Sequence, residues 1–229
     1  MSDTVAKIQA PAGFKSHTVG HHFRDANQEF ASAQLGMWIF IGQEVLFFSA
    51  LFVAYGVFRL IYPEMYVYAS GLLNWKLGLL NTVVLLFSSF TMAMAFHSIQ
   101  RNKKNLCLIY LGITQLCAAA FMVVKYFEYS HKIHDGLLPA KYFSGTIPLE
   151  SVTVDGINSL MVFFGLYFSL TGLHGIHILI GMGLILWIMI KVAKGNFFSG
   201  YFTPVELVGL YWHLVDIIWI FLFPLLYLI

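Results

Sequence analysis

A histidine and an aspartate interrupt the apolar segment at the C-terminal end of the sequence. Glu206, His213 and Asp216 are spaced so that one stripe of a helix carries all three. An ionisable group at the centre of a membrane span costs at least about 2.5–3.5 kcal/mol, so such groups usually face protein. We therefore expect these three side chains to lie at a helix interface, against a helix of this chain or of another.

A second group with possible chemistry is the pair His174 and His177, which are separated by one helical turn. Sharing one face, they could chelate a metal. A metal would need more ligands, and the candidates are few: Glu44, Glu128, His213 and Asp216. Glycines flank both histidines, and glycine is the usual residue where membrane helices approach closely. We therefore expect the two histidines to form hydrogen bonds between helices, and we expect no haem, copper or iron in this chain.

Three further charged residues lie in apolar surroundings. Glu44 is either a proton carrier or lipid-facing acceptor, or a neutral hydrogen-bonded acid that joins helices, because buried carboxyls often protonate. We favour the second interpretation. Lys125 and Glu128 are three positions apart near the end of an apolar segment, and this spacing predicts a structural ion pair.

The elements that must position these residues are long apolar segments. Hydrophobic residues make up 59% of the chain and charged residues 10%, against about 25% charged residues in water-soluble domains. The segments are apolar around most of their circumference, which favours helices over barrel strands. We predict an all-α polytopic membrane protein, a bundle of five transmembrane helices at about 35–58, 77–96, 106–130, 160–190 and 205–229 within a domain of residues 32–229.

The polar residues 1–31 form a predicted N-terminal arm and lack the apolar core of a cleavable signal peptide. Five spans place the arm and the loops after the second and fourth spans on one side of the membrane. That side carries eight lysines and arginines, and the opposite side carries four. By the positive-inside rule the N-terminus is cytoplasmic and the C-terminus lies outside. The net charge of +2 is too small to indicate nucleic-acid binding.

Three segments of the sequence resemble subunit III of the haem–copper oxidases. They are Leu35 to Phe48, with Gln43-Glu44; Thr171 to His177; and Tyr211 to Trp219, with Trp212-His213 and Asp216. Leu80-Asn81-Thr82, Leu85 to Ser89 and Glu128-Tyr129 fit the same pattern in the same order. The similarity extends from about residue 20 to the C-terminus. The mitochondrial type has seven helices. With five predicted spans, this chain would lack the first two of them and resembles the five-helix bacterial form.

The resemblance implies a supporting subunit without haem or copper, which those oxidases hold in other subunits. In the family, subunit III packs beside catalytic subunit I in a complex that includes subunit II, binds phospholipid and sustains proton uptake. Glu44 matches the buried glutamate near the bound lipid, Lys191 matches a contact to a lipid headgroup, and His22 lies in a run similar to a lipid-contacting stretch. The implied protein belongs to a cytochrome c oxidase of a bacterial inner (cytoplasmic) membrane and supports aerobic electron transport and proton translocation.

Other functions stay open at this point. A quinol oxidase has a similar subunit III, because other subunits choose the electron donor. A homologue that accompanies nitric oxide reductase is a further alternative. Outside this family we consider a small independent transporter, which five uninterrupted spans do not favour, and a metal-dependent membrane enzyme, which would contain bound metal.

Overall fold

The structure, a computed structural model, describes residues 7–134, 136–138 and 154–229. The start of the predicted arm, residues 1–6, and one basic residue of the charge comparison, Lys141, lie outside these ranges. The described residues contain a two-stranded hairpin and six helices, as follows: β1 Lys7–Ile8, β2 His17–Thr18, α1 Ala26–Ile61, α2 Pro63–Gly71, α3 Trp75–Gln100, α4 Lys104–His134, α5 Val154–Ala193 and α6 Thr203–Tyr227.

Five of the described helices, α1, α3, α4, α5 and α6, are long and apolar enough to cross a membrane. The predicted all-α bundle of five membrane helices is therefore confirmed. Most helices extend beyond the predicted spans, because polar residues at a helix end do not stop the helix. The helix α1 begins inside the predicted arm, where the Asp25 side chain accepts a hydrogen bond from the Gln28 backbone N–H at 2.8 Å and caps the first turn.

The short helix α2 was not predicted, because a nine-residue helix is too short to show the long apolar pattern of a membrane span. Pro63 occupies its first turn, where a missing N–H costs nothing. Tyr66 of this helix is fully buried against the rings of Tyr55 and Phe163. Burial raises the pKa of the Tyr66 phenol to about 12, so the group stays neutral in this aromatic cluster.

The helices α3 and α4 form an antiparallel hairpin, and α6 packs against α3, α5 and α1. Small and hydroxylated residues line the α3–α4 contact, and the hydroxyls of Thr91 and Thr114 form a hydrogen bond of 2.8 Å across it. These helices approach closely because their facing side chains are small. The helix α6 is the most buried of the five and carries Glu206, His213 and Asp216.

Two glycines allow the large rings of α6 to pack onto neighbouring helices. A Cβ atom at Gly181 of α5 would lie 2.8 Å from the Trp212 ring, and a Cβ atom at Gly78 of α3 would lie 2.8 Å from the Phe223 ring. Neither ring could stay in place beside a larger residue. Gly181, which follows the two membrane histidines on α5, therefore serves the close helix packing that the sequence predicted for this segment.

The described part of the N-terminal arm folds back onto the loop between α5 and α6. The backbone N–H of Lys15 donates to the Gly195 carbonyl at 2.8 Å, and the His17 ring stacks on the Tyr201 ring at 3.5 Å. The His17 ring also contacts the Glu29 carboxylate at 3.1 Å, near the start of α1. The arm thus brings residues 15–17 to the end of α5 that carries Lys191.

Candidate functional site

The carboxyl of Glu44 on α1 contacts the ring of His177 on α5. Oε2 of Glu44 lies 3.0 Å from Nε2 of His177, and both side chains are largely buried. The other ring nitrogen, Nδ1, lies 2.8 Å from the Leu173 backbone carbonyl, one turn earlier on α5. The Phe48 ring packs edge-on against the imidazole. The pair therefore connects α1, which has few other buried residues, to the bundle.

These contacts fix the number of protons in the pair. A carbonyl oxygen only accepts hydrogen bonds, so Nδ1 of His177 must carry a proton. The contact between Nε2 and Oε2 then needs one more proton, which either of these two atoms can hold. The pair is thus a neutral acid with a neutral imidazole, or a carboxylate with an imidazolium, and its net charge is zero in both cases. A net-neutral pair is the cheaper form inside an apolar span.

His177 forms the expected hydrogen bond between helices, whereas for His174, one turn earlier on α5, this expectation is wrong. The His174 ring is fully buried and packs against the rings of Phe121 on α4 and Trp219 on α6. Neither ring nitrogen forms a hydrogen bond with a described residue, because the surfaces around it are aromatic. Among the described residues no group of three or more His, Cys, Asp or Glu side chains could hold a metal ion.

A buried charged cluster, which we call the Glu128 cluster, joins α4, α5 and α6. Lys125 donates to Oε2 of Glu128 at 2.8 Å, so the ion pair predicted from spacing is present. Lys132, one turn further, donates to Oε1 at 2.8 Å. The hydroxyls of Tyr167 and Tyr227 also donate to Oε1, at 3.0 and 2.6 Å. Because four groups donate hydrogen bonds to the side chain of Glu128, this side chain is an ionised carboxylate. It lies in the interior of the protein and not at its surface.

The polar stripe of α6 is divided between two neighbouring helices. The Gln34 side chain on α1 donates to Oε1 of Glu206 at 3.0 Å. The Ser89 hydroxyl on α3 lies 2.6 Å from Nδ1 of His213. Asp216 is buried, and neither of its oxygens forms a hydrogen bond with a described residue. Neighbouring helices of the chain thus cover part of this stripe.

A cavity of about 210 Å³ lies at the end of α5, between the arm and the α5–α6 loop. Its wall includes Lys191, Trp187 and Asn196 on one side and Lys15 and His17 on the other. Burial and the neighbouring Glu29 carboxylate raise the pKa of the Tyr201 phenol, which closes the cavity beside His17. Two ammonium groups and an aromatic ring at one opening are suited to an anion that has an apolar part.

The three residues that the resemblance connected with lipid are not neighbours. His22 is exposed on the arm, contacts the His21 ring in a tilted arrangement and does not line the cavity of Lys191. Lys191 follows His177 by fourteen positions on α5, which places it about 21 Å along the axis from the Glu44–His177 pair. A single ligand that contacted both Lys191 and the Glu44–His177 pair would need about the length of a phospholipid molecule.

Several partners were missed at the sequence level. Gln34, Ser89 and Tyr227 meet their partners through helix packing, which no local pattern reveals. Lys132 is different, since it follows Glu128 by four positions, and this spacing on a helix already predicts an ion pair.

A bundle of five membrane-length helices, joined by polar contacts in its interior, defines this chain as a polytopic α-helical membrane protein. Comparison with known sequences gives the particular family. The sequence model of the family "Cytochrome c oxidase subunit III" matches residues 14–154 and 150–229. The chain therefore belongs to the subunit III family of the haem–copper oxidases.

Similar proteins include subunits of oxidases with different electron donors. The quinol oxidase subunit 3 of Bacillus subtilis is 31% identical over 196 residues, which cover 85% of each chain. The cytochrome c oxidase subunit 3 of Loxodonta africana is 32% identical over 219 residues, 91% of this chain and 72% of that protein. The cytochrome bo(3) ubiquinol oxidase subunit 3 of Pseudomonas aeruginosa is 26% identical over 218 residues, 93% and 92% of the two chains.

Proposed function

We propose that this chain is the non-catalytic subunit III of a proton-pumping terminal oxidase, in which it stabilises the complex and binds phospholipid. Its partners are catalytic subunit I and subunit II, which carry the haem and copper. The complex lies in a bacterial inner membrane, with the N-terminus of this chain in the cytoplasm and its C-terminus outside.

The observation that carries the lipid-binding part is the cavity between the arm and the end of α5. By the charge rule it lies on the cytoplasmic side, at the end of a span, where a phosphate headgroup meets the protein. Lys191 lies over the Trp187 ring, with its ammonium 5.9 Å from the ring centroid. Within the described residues the Lys191 ammonium forms no ion pair with a carboxylate, so it is available to a phosphate.

The contact between Glu44 and His177 supports a structural role for these two residues. It holds α1 against α5 in the apolar part of the span and keeps zero net charge whichever atom holds the shared proton. Such a contact stabilises the helix pair without needing a change of charge during turnover. We therefore assign Glu44 to helix packing beside lipid, and not to proton transfer.

The electron donor is either cytochrome c or quinol, and the quinol alternative has a specific observation in its favour. The Bacillus subtilis relative is named a quinol oxidase subunit, and its match to this chain covers 85% of each of the two proteins. Purification of the complex in mild detergent, followed by its haem spectrum and by oxygen consumption with reduced cytochrome c and with quinol, separates the two alternatives.

Lipid binding is tested on the complex by native mass spectrometry. Lys15→Met with Lys191→Met removes both ammonium groups of the cavity, and each lysine near an anionic headgroup contributes about 1 kcal/mol, so the retained anionic phospholipid should fall by roughly tenfold or more. The control is Lys194→Met, an exposed lysine at the same end of α5 that does not line the cavity. Equal lipid content in the wild-type protein and both variants would refute the assignment of this cavity.

A further inference from the structure

A second pairing of an acid with a histidine lies inside the bundle, where α6 packs against α3. Asp216 and His213 are three positions apart on α6, about one helical turn. The Ser89 hydroxyl on α3 lies 2.6 Å from Nδ1 of His213. We call these three residues the Asp216 site. It lies on a different side of α6 from Tyr211, whose hydroxyl donates to the His177 carbonyl on α5.

The packing of α6 on α3 fixes the position of Asp216. The Trp212 indole N–H donates to Oγ of Ser88 at 3.1 Å, and the Trp219 indole N–H donates to a threonine hydroxyl earlier on α3, at 3.0 Å. Asp216 lies between these two tryptophans on α6, so it packs against the α3 segment that includes Ser89. The Ser89 hydroxyl thus lies beside both the imidazole and the carboxyl of the Asp216 site.

The surroundings of Asp216 favour its neutral, protonated form. The side chain is only 2% exposed and forms no ion pair with a described cation. Between Lys76 and His97, α3 has no ionisable residue. A buried carboxylate without a cation beside it is far more costly than the neutral acid. Both carboxyl oxygens lack a hydrogen bond to a described residue, so the acid O–H can turn towards the Ser89 oxygen.

The hydrogen atoms of the site then form a continuous chain. The Asp216 O–H donates to Oγ of Ser89, and the Ser89 O–H donates to Nδ1 of His213, which therefore carries its own proton on Nε2. Nε2 makes no hydrogen bond with a described residue, and the His213 side chain is half-buried. The chain of hydrogen bonds therefore begins at a buried acid and ends at a nitrogen that opens to the outside of the bundle.

The contact between Glu44 and His177 provides a contrast. Both ring nitrogens of His177 have partners within the chain, the Glu44 carboxyl and the Leu173 carbonyl. That pair is closed, and its shared proton has no further group to reach. In the Asp216 site one nitrogen of the histidine is left over, which is the arrangement that a path for proton exchange requires.

We propose that Asp216, Ser89 and His213 form a proton-binding site with a built-in relay, in which Asp216 holds one exchangeable proton. In the transfer step the Asp216 proton moves to Oγ of Ser89 while the serine proton moves to Nδ1 of His213. The products are a carboxylate, an unchanged serine and an imidazolium, so the net charge of the site stays zero. The imidazolium exchanges a proton with the outside, and a half-turn of its ring brings the exchanged proton back to Ser89.

Infrared spectroscopy of the purified complex tests whether Asp216 is protonated. The C=O stretch of a protonated carboxylic acid is separate from the amide bands and shifts in D2O. We expect such a band in the wild-type protein and its absence from Asp216→Asn. Asp216→Glu keeps the acid and should move the band, which covers the case in which the Asn variant does not assemble. A spectrum in which neither variant changes an acid band would overturn the proposal.

The rate at which this band shifts after transfer into D2O tests the relay. Ser89→Ala and His213→Leu each interrupt the chain, and positioned proton-transfer groups typically contribute 10²–10⁴-fold, so exchange should slow by roughly 100-fold in each variant. The matched control is Ser88→Ala, which removes the neighbouring buried hydroxyl that contacts Trp212 instead. Exchange at the wild-type rate in Ser89→Ala and His213→Leu, or equal slowing in Ser88→Ala, would show that the relay does not exist.

This inference goes beyond the proposed function, because all three groups belong to this chain and the step needs no haem, quinol or cytochrome c. A complex that contains no haem yet shows the exchanging Asp216 band would refute the proposed function alone. A haem-containing complex without that band would refute the proton-binding site alone.

Discussion

Glu44 and His177 lie on different helices, and their side chains meet at 3.0 Å with one shared proton between them. The proton count follows from the second contact of the histidine, in which Nδ1–H donates to the Leu173 carbonyl. Because the net charge of the pair is zero in either protonation state, a side chain that donates one hydrogen bond without charge should be able to replace the acid.

We therefore expect Glu44→Gln to assemble normally, keep its lipid and turn over at a nearly wild-type rate, since its amide N–H can donate to Nε2. Glu44→Ala should do worse, because an unpaired, largely buried imidazole costs about 1–3 kcal/mol. Oxygen consumption and inactivation during turnover, measured at matched subunit content, report the difference. Gln43→Ala, at the exposed neighbouring position, is the control. A Gln variant that assembles fully yet turns over or pumps several-fold more slowly would mean that Glu44 changes its charge during turnover.

The two membrane histidines should be replaceable without loss of cofactor. We expect His174→Gln with His177→Gln to leave the haem spectrum and the metal content of the assembled complex unchanged, because one ring faces Phe121 and the other faces Glu44. The measurement is elemental analysis together with the optical spectrum of the purified complex. Loss of metal from a complex that still contains all its subunits would contradict this.

The fold was largely predictable from the sequence, because a run of about twenty apolar residues specifies a membrane helix by length alone. Ion pairing of Lys125 with Glu128 was predictable for the same local reason, since the spacing is one helical turn. The contacts of Glu44 with His177 and of Ser89 with His213 were not, because they depend on which helices pack together and at which height. The hairpin of the arm was missed as well, since its strands are two residues long and are held by the α5–α6 loop.

The orientation in the membrane is tested by fusions at the C-terminus. With eight basic residues on the predicted cytoplasmic side and four on the other, a C-terminal alkaline phosphatase fusion should be active, and a green fluorescent protein fusion should be dark. The control is an alkaline phosphatase fusion truncated at the turn between α3 and α4, near Asn102, which should be inactive. The reverse pattern would overturn the predicted orientation.

The Glu128 cluster should respond more strongly to loss of the acid than to loss of a single hydroxyl. Glu128→Gln leaves the buried ammonium of Lys125 without its carboxylate, and breaking a buried ion pair from one side typically costs about 3–5 kcal/mol. Tyr227→Phe removes one of four donors and should cost only about 0.5–1.5 kcal/mol. The thermal unfolding temperature of the purified complex is the measurement.

The double variant Lys125→Met with Glu128→Gln tests whether the charges of the two residues stabilise each other, or whether each residue contributes only through its own packing. It removes the lysine together with the carboxylate, so no unpaired Lys125 charge stays in the interior. Its cost should therefore be clearly less than the sum of the two single costs, by about 0.5–3 kcal/mol for groups in contact. The damage is limited further because Lys132 can still donate to the side-chain carbonyl of the glutamine that replaces Glu128. Additive costs would mean that the charges of Lys125 and Glu128 do not stabilise each other. A Glu128→Gln variant that unfolds at the wild-type temperature would mean that the buried carboxylate does not stabilise the protein.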